Sequence, residues 1–325
     1  MPSLDLPYRA ELDVAIAAAL AGGRVVHDFY ERAATATYEK TDGSPVTDAD
    51  IAADRAIREV LTSRVPDDAI LTEEGQDERH RLDWPRCWIV DPLDGTEQFI
   101  LRTGEFDVLV ALVEAGRPVA VAGYQPTTAT LVTATRGGGA WVRTRDGAPE
   151  QVRFSPAAGA PRVATSKWFG APENVALMAA LAARLGTELI PATTLGFSPR
   201  MFLPPRPLDV MVGVREGDDQ TMASEWDFAV ADLVISEAGG KVTDLAGRPF
   251  RYNKPAPVNA GGLVAAADPT THERVLSALR KILRERLIAL PDEGGADENA
   301  PAPDACVERG NVEERNDRAS PTISH

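Results

Sequence analysis

The sequence predicts an α/β (α+β) chain in which helices are layered on sheets. Three observations carry this: helical periodicity over the first sixty or so residues, a strand-rich run with tight turns from about 69 to 142, and alternating helices and strands from about 162. A chain of 325 residues is long enough for two lobes sharing one cleft. The expected boundaries are 1–155 for a helix-on-antiparallel-sheet lobe, 156–290 for an α/β lobe, and 291–325 for a tail.

Leu12, Ala15, Ile16, Ala19 and Leu20 recur at helical spacing, and Val25, Val26 and Phe29 continue the stripe past Gly22-Gly23. A long helix interrupted by those glycines is therefore expected from 8 to about 34. A polar turn at Thr41-Asp42-Gly43-Ser44-Pro45 precedes a second helix, whose apolar stripe is Ile51, Ala52, Ile57, Val60 and Leu61 and which ends at Pro66-Asp67. Strands are expected at 69–71, 87–90, 106–113, 119–124, 131–134 and 140–142, with Ala115-Gly116-Arg117 and Gly137-Gly138-Gly139 as antiparallel turns. After them come a strand at 163–165, a helix over 175–185, strands near 188–191 and at 208–212, and a helix over 226–238 stopped by Gly239-Gly240. A hairpin-like stretch, a strand at 263–266 and a helix from 269 to about 290 complete the folded part. Residues 291–325 hold nine acidic and three basic side chains and few large apolar groups, the composition of a disordered acidic tail.

The net charge of -15 disfavours nucleic-acid polymers and anionic membranes as partners. A small anionic substrate would need a local positive centre, and a few bound divalent cations supply one in an acidic protein. The only cysteines, Cys87 and Cys306, offer no disulfide framework, and no basic region followed by an apolar core opens the chain. A cytoplasmic protein that does not span a membrane is expected.

The segment Trp88-Ile89-Val90-Asp91-Pro92-Leu93-Asp94-Gly95-Thr96 is the most informative. An apolar strand delivers Asp91 at its C-terminal end, Pro92 is expected to stop the strand, and Asp94-Gly95-Thr96 opens a helix whose amides face the same place. Two aspartates there suit hard cations, and a helix start suits phosphate oxygens. An Asp at a strand end and a capping Asp are also ordinary structural devices, so the segment gains meaning from its companions. These are Glu73-Glu74-Gly75 after the preceding strand, Asp48 and Asp50 heading a helix, and Ser224-Glu225-Trp226-Asp227 opening another. His27, His80, His272 and His325 have no zinc-ligand spacing, Cys87 reads as buried and inert, and no Walker loop is present.

Together these segments resemble the inositol monophosphatase superfamily of metal-dependent, lithium-sensitive phosphatases. The resemblance runs from about Lys40 to Leu276 and rests on DPLDGT at 91–96 with WDFAVADLVISEAGG at 226–240. It implies a layered α-β-α-β-α arrangement with the site between two lobes, and a homodimer. It implies two or three magnesium ions on Glu73, Asp91, the Leu93 carbonyl, Asp94 and Asp227, with Thr96 beside the first. Glu73 with Thr96, helped by Asp50, would orient the attacking water, and Asp94, Gly95, Thr96, Arg200 and Asp227 would meet the substrate.

Within the superfamily, Glu97-Gln98-Phe99-Ile100, Gly104-Glu105-Phe106 and Arg251-Tyr252-Asn253-Lys254 resemble the CysQ-type 3'(2'),5'-bisphosphate nucleotidases, which act on adenosine 3',5'-bisphosphate. Two segments depart from that branch: Thr165-Ser166-Lys167-Trp168 stands for Ser-Arg-Ser-His, and Gly196-Phe197-Ser198-Pro199-Arg200 for Gly-Ser-Ser with a nearby Lys. Arg200 is then the candidate phosphate or ribose contact, and Trp168 a stacking surface for a base. Inositol-1-phosphate, histidinol phosphate and sugar phosphates stay open as substrates, because selectivity lies in loops of the second lobe. The rival of another class is a non-catalytic protein that senses a phosphorylated metabolite; retention of Glu73 and Thr96 counts against it.

Overall fold

A computed structural model describes residues 6–32, 35–40, 43, 45–156, 159–166, 175–190, 196–203, 208–214 and 221–286. The expected tail at 291–325, the expected helix end at 287–290, Lys167, Trp168 and the turn residues Thr41, Asp42 and Ser44 lie outside the described residues.

The helix α1 (Arg9–Arg32), the antiparallel pair β1 (Thr37–Glu39) and β2 (Pro45–Thr47), and the helix α2 (Asp48–Arg64) open the fold. A seven-stranded sheet follows in chain order: β3 (Ala69–Thr72), β4 (Arg86–Asp94), β5 (Asp107–Glu114), β6 (Arg117–Gln125), β7 (Thr130–Thr135), β8 (Gly139–Thr144) and β9 (Glu150–Val152). A short helix, α3 (Thr96–Ile100), joins β4 to β5. The remaining elements are β10 (Arg162–Ala164), α4 (Val175–Leu185), β11 (Glu188–Leu189), β12 (Val210–Gly213), β13 (Thr221–Ser224), α5 (Glu225–Glu237), β14 (Lys241–Thr243), β15 (Val258–Ala260), β16 (Leu263–Ala266) and α6 (Pro269–Glu285). Five of these strands form a second sheet in the order β11-β10-β12-β16-β14.

Strand alternation sets the layers. Trp88, Val90, Val108, Val110 and Leu112 pack with Ala15, Ala19, Ile57 and Leu61 of α1 and α2. Their neighbours Cys87, Ile89, Leu109 and Ala111 point the other way and join Phe228, Ala231 and Ile235 of α5. Met211, Leu263 and Ala265 of the second sheet meet the same helix, while Val210, Val212, Val264 and Ala266 face Leu181 of α4 and Val275 and Leu279 of α6. The order is thus helix, sheet, helix, sheet, helix, as the resemblance implies. It explains why α5 is apolar on nearly every side: both of its flanks are sheets. No described helix is long and apolar enough to cross a membrane.

Three local expectations are corrected. Gly22 and Gly23 do not interrupt α1; both are buried inside it. A Cβ at Gly22 would stand 2.6 Å from Ile57 Cδ1, and one at Gly23 2.3 Å from Tyr124 Cδ1, so the glycines let α1 approach α2 and β6. Pro92 does not stop β4, which continues to Asp94 through a register shift between Asp91 and Asp94. The first sheet is not wholly antiparallel, since β3 and β4 run parallel. The short strands β1, β2, β9, β13 and β15 escape the periodicity, having three or four residues each.

The packing of α1 gives a direct test. Gly23→Ala gains about 1 kcal/mol of helix propensity but drives a methyl group into the Tyr124 ring, an overpacking that costs about 1–3 kcal/mol. Urea unfolding is expected to show a net loss of stability, relieved by adding Tyr124→Leu to make room.

Candidate active site

Parallel pairing of β3 and β4 places their C-terminal ends side by side. Glu73 follows β3 directly, and its N–H donates to Val90 O at 3.2 Å, which sets it next to Asp91. Asp91 is buried, and its Oδ1 accepts from Leu93 N at 2.9 Å, the local turn that Pro92 and the register shift create. Asp94 then pairs with Asp107 at the start of β5. Gly95 turns the chain into α3 with φ at +91°, and a Cβ there would lie 3.0 Å from Glu105 O, so both conformation and space favour glycine.

Asp227 arrives from the opposite layer as the third residue of α5. It completes a capping box, with Oδ2 accepting from Ser224 N at 2.7 Å. One oxygen from each of Asp91, Asp94 and Asp227 lies within 4.8 Å of the others. Glu73 falls outside this triad, its Oε1 ion-paired to Lys40 Nζ at 2.7 Å, and the same ammonium reaches Glu74 Oε1 at 2.6 Å.

The electrostatics are those of a site short of positive charge. Burial, then the charges of Glu73, Asp94 and Asp227, push the Asp91 carboxyl far above its usual range. Asp227 is raised likewise by burial, Asp94 and Glu73. Burial with Asp107 and Glu73 raises Asp94 to about 7, against the pull of Arg200. Glu74 is pushed by burial to about 7 even though Lys40 draws it down. Among the described residues no ion pair reaches Asp91, Asp94 or Asp227. Three converging carboxylates, hard oxygen donors with no direct ion pair among the described residues, fit one or more hard divalent cations.

Thr96 and Asp50 adjoin the triad through the Leu93 turn. Asp50 is 1% exposed and is held at Oδ2 by Thr47 N at 2.8 Å and Thr47 Oγ1 at 2.5 Å, a capping box on α2. Its Oδ1 lies 3.0 Å from Thr96 Oγ1, which is also 3.2 Å from Leu93 O. Asp50 is thus both a helix cap and a partner of Thr96. The segment carrying Arg200 also comes to the site, since a Cβ at Gly196 would lie 3.7 Å from Asp94 Oδ1. Arg200, expected to face substrate, has its Nε on Asp107 Oδ2 at 2.9 Å and its Nη1 on Glu105 Oε2 at 3.1 Å. Its Nη2 is buried with no hydrogen-bond partner among the described residues.

Two participants escape a reading of the sequence. Lys40 stands in a polar stretch with nothing to mark it. Asp107 had a signal, an acid heading the apolar run Val108-Leu109-Val110-Ala111-Leu112-Val113, where a buried charge calls for a partner.

Comparison with known proteins points to one family. Residues 8–184 and 209–284 match the inositol monophosphatase family. The chain is 33% identical over 237 residues to the 3'(2'),5'-bisphosphate nucleotidase CysQ of Aggregatibacter actinomycetemcomitans, covering 71% of this chain and 83% of that protein. It is 31% identical over 283 residues to the Nus factor SuhB of Salmonella typhimurium, covering 85% and 98%. The solved structure of CysQ from Bacteroides thetaiotaomicron superposes with a TM-score of 0.64 at 28% identity, over 80% of this chain and 98% of that one. Sequence match, layer order and carboxylate triad converge on one conclusion: the chain belongs to the inositol monophosphatase family and is a phosphatase.

Proposed function

We infer that the chain is a magnesium-dependent phosphomonoesterase whose substrate is adenosine 3',5'-bisphosphate, from which it removes the 3'-phosphate. The observation that carries the metal dependence is the convergence of Asp91, which is buried, with the half-buried Asp94 and Asp227, none of them in an ion pair among the described residues. The substrate is supported by the CysQ relatives and by Gly104-Glu105-Phe106 and Arg251-Tyr252-Asn253-Lys254, which resemble that branch.

Asp91, Asp94, Asp227, the Leu93 carbonyl and Glu73 would hold two or three magnesium ions. When bound, such ions neutralise the phosphate, acidify a water and stabilise the leaving alkoxide. The chain's own residues do the rest. Thr96 has a single hydroxyl hydrogen, and donating it to Asp50 Oδ1 leaves the Oγ1 lone pairs to accept from a water and orient it. Thr47 fixes Asp50 from the other side, so that acceptor does not turn away. Lys40 holds Glu73 and Glu74 in place on the rim.

A second reading, hydrolysis of inositol-1-phosphate, histidinol phosphate or a sugar phosphate, is favoured by one observation. Nε and one Nη1 hydrogen of Arg200 are spent on Asp107 and Glu105 and its Nη2 is buried, so less of the guanidinium is free for a second phosphate. Phosphate release from adenosine 3',5'-bisphosphate, inositol-1-phosphate, histidinol phosphate and fructose-1,6-bisphosphate separates the readings. Turnover is expected with magnesium and not with EDTA, to fall with lithium, and to be fastest on the bisphosphate nucleotide. Preference for a monophosphate would overturn the substrate while leaving the reaction class intact. Thr96→Val is expected to lower kcat by about 10²-fold while leaving stabilisation by magnesium in place.

The charge shortage also predicts a pH response. Asp94 has a folded pKa near 7, above the unfolded value of about 3.9. The folded, metal-free protein therefore binds more protons than the unfolded chain in the window between them, and stability is lost as pH rises through 7. In EDTA the melting temperature is expected to be lower at pH 8 than at pH 6, and magnesium at pH 8 should restore it. Asp94→Asn is expected to raise the melting temperature in EDTA at pH 8 and to abolish both turnover and the magnesium effect.

A further inference from the structure

A second group of buried charges lies beside the triad. Glu225, the first residue of α5, is wholly buried, and its oxygens accept from Asn253 N at 2.6 Å, Lys254 N at 3.1 Å and Lys254 Nζ at 2.9 Å. The Lys254 ammonium also donates to Arg251 O at 2.5 Å and Asn259 Oδ1 at 2.9 Å, so its three hydrogens all have acceptors. Asn259 belongs to β15, which pairs with β13, the strand that runs straight into α5. From the other side Arg81, 1% exposed and gripped by Asp77, donates to Asn253 Oδ1 at 2.6 Å and Lys254 O at 2.8 Å. Arg81 follows β3 and Glu73 along the chain, within the 3-10 turn Arg79–Asp83.

Hydrogen bonds therefore run unbroken from the segment after β3, through Asn253 and Lys254, to the residue two before Asp227. We propose that this Arg81–Lys254–Glu225 network is a positioning device for the metal centre. It fixes the start of α5 against the segment that bears Glu73, and so sets how closely Asp227 approaches Asp91 and Asp94. Net stability is a poor reason for such a group, because a buried ion pair is often matched by apolar residues of the same volume. Its geometric effect is specific: Asp227 must be held near two like charges before a cation arrives, and the Ser224 N–H anchors the Asp227 carboxylate without fixing the helix start itself. Partners that orient metal ligands from behind act in this way.

The inference rests on the metal-site reading, and the test keeps the two apart. Manganese binding to the full chain is measured by loss of the free-ion resonance signal, with metal-free thermal unfolding alongside. The variants are Glu225→Gln, Lys254→Met, their combination, and Arg86→Met, which removes ion pairs to Asp68 and Glu11 at the far end of β4. Half-saturating manganese is expected to rise about 10- to 100-fold in the first two. The double variant, with no charge left unpaired at this contact, should regain thermal stability yet keep the weakened binding. Arg86→Met should lose stability and bind manganese normally. Normal binding in the double variant, or weakening in Arg86→Met in proportion to its lost stability, overturns the proposal. A wild-type chain that binds no manganese overturns it together with the metal-site reading, whereas normal binding throughout overturns the positioning role alone.

Discussion

Three carboxylates whose oxygens lie within 4.8 Å of one another, one of them buried and two half-buried, are the constraint on which the rest of the structure depends. Two like charges at that separation repel by roughly 3–4 kcal/mol at an effective dielectric of 20. Nothing about Asp91, Asp94 or Asp227 individually is unusual; holding them together is. The fold does so by bringing them from two opposed layers, each rigid for its own reasons. Asp91 and Asp94 stand on β4, a strand interior to the larger sheet, while Asp227 stands at the start of a helix packed between both sheets.

The same constraint accounts for the backbone devices around the site. The register shift through Pro92 turns Asp94 toward the triad while the Leu93 amide is satisfied by Asp91. The left-handed Gly95 bends the chain so that Thr96 meets Asp50. Asp50 and Asp227 are each the third residue of a capping box, so a carboxylate that orders a helix start also keeps one oxygen for the site. Local stability and site geometry are thus met by the same hydrogen bonds.

Much of this is legible in the sequence wherever the information is local. Asp91 and Asp94 sit five and two residues before Thr96, and Trp226-Asp227 opens an apolar helix stopped by paired glycines, so strand end, cap and helix start can be read directly. The five layers follow from the run of elements together with the family resemblance, and α5 shows its double burial in Phe228-Ala229-Val230-Ala231. What is not legible is non-local pairing. Gly22 and Gly23 read as helix breakers because the ring of Tyr124, a hundred residues away, cannot be seen from them. Arg200 reads as a free cation because Glu105 and Asp107 come to it only through the fold. The Glu225–Lys254 contact joins two ordinary charged residues that only β13 and β15 bring together.

Whether the triad holds metal is decided by crystals of the full chain grown with saturating manganese and measured at a wavelength where manganese scatters anomalously. An anomalous peak is expected within bonding distance of the carboxylates of Asp91, Asp94 and Asp227 together. A triad without a peak at saturating manganese, or an ion held elsewhere with Asp227 turned away from Asp91 and Asp94, would contradict it.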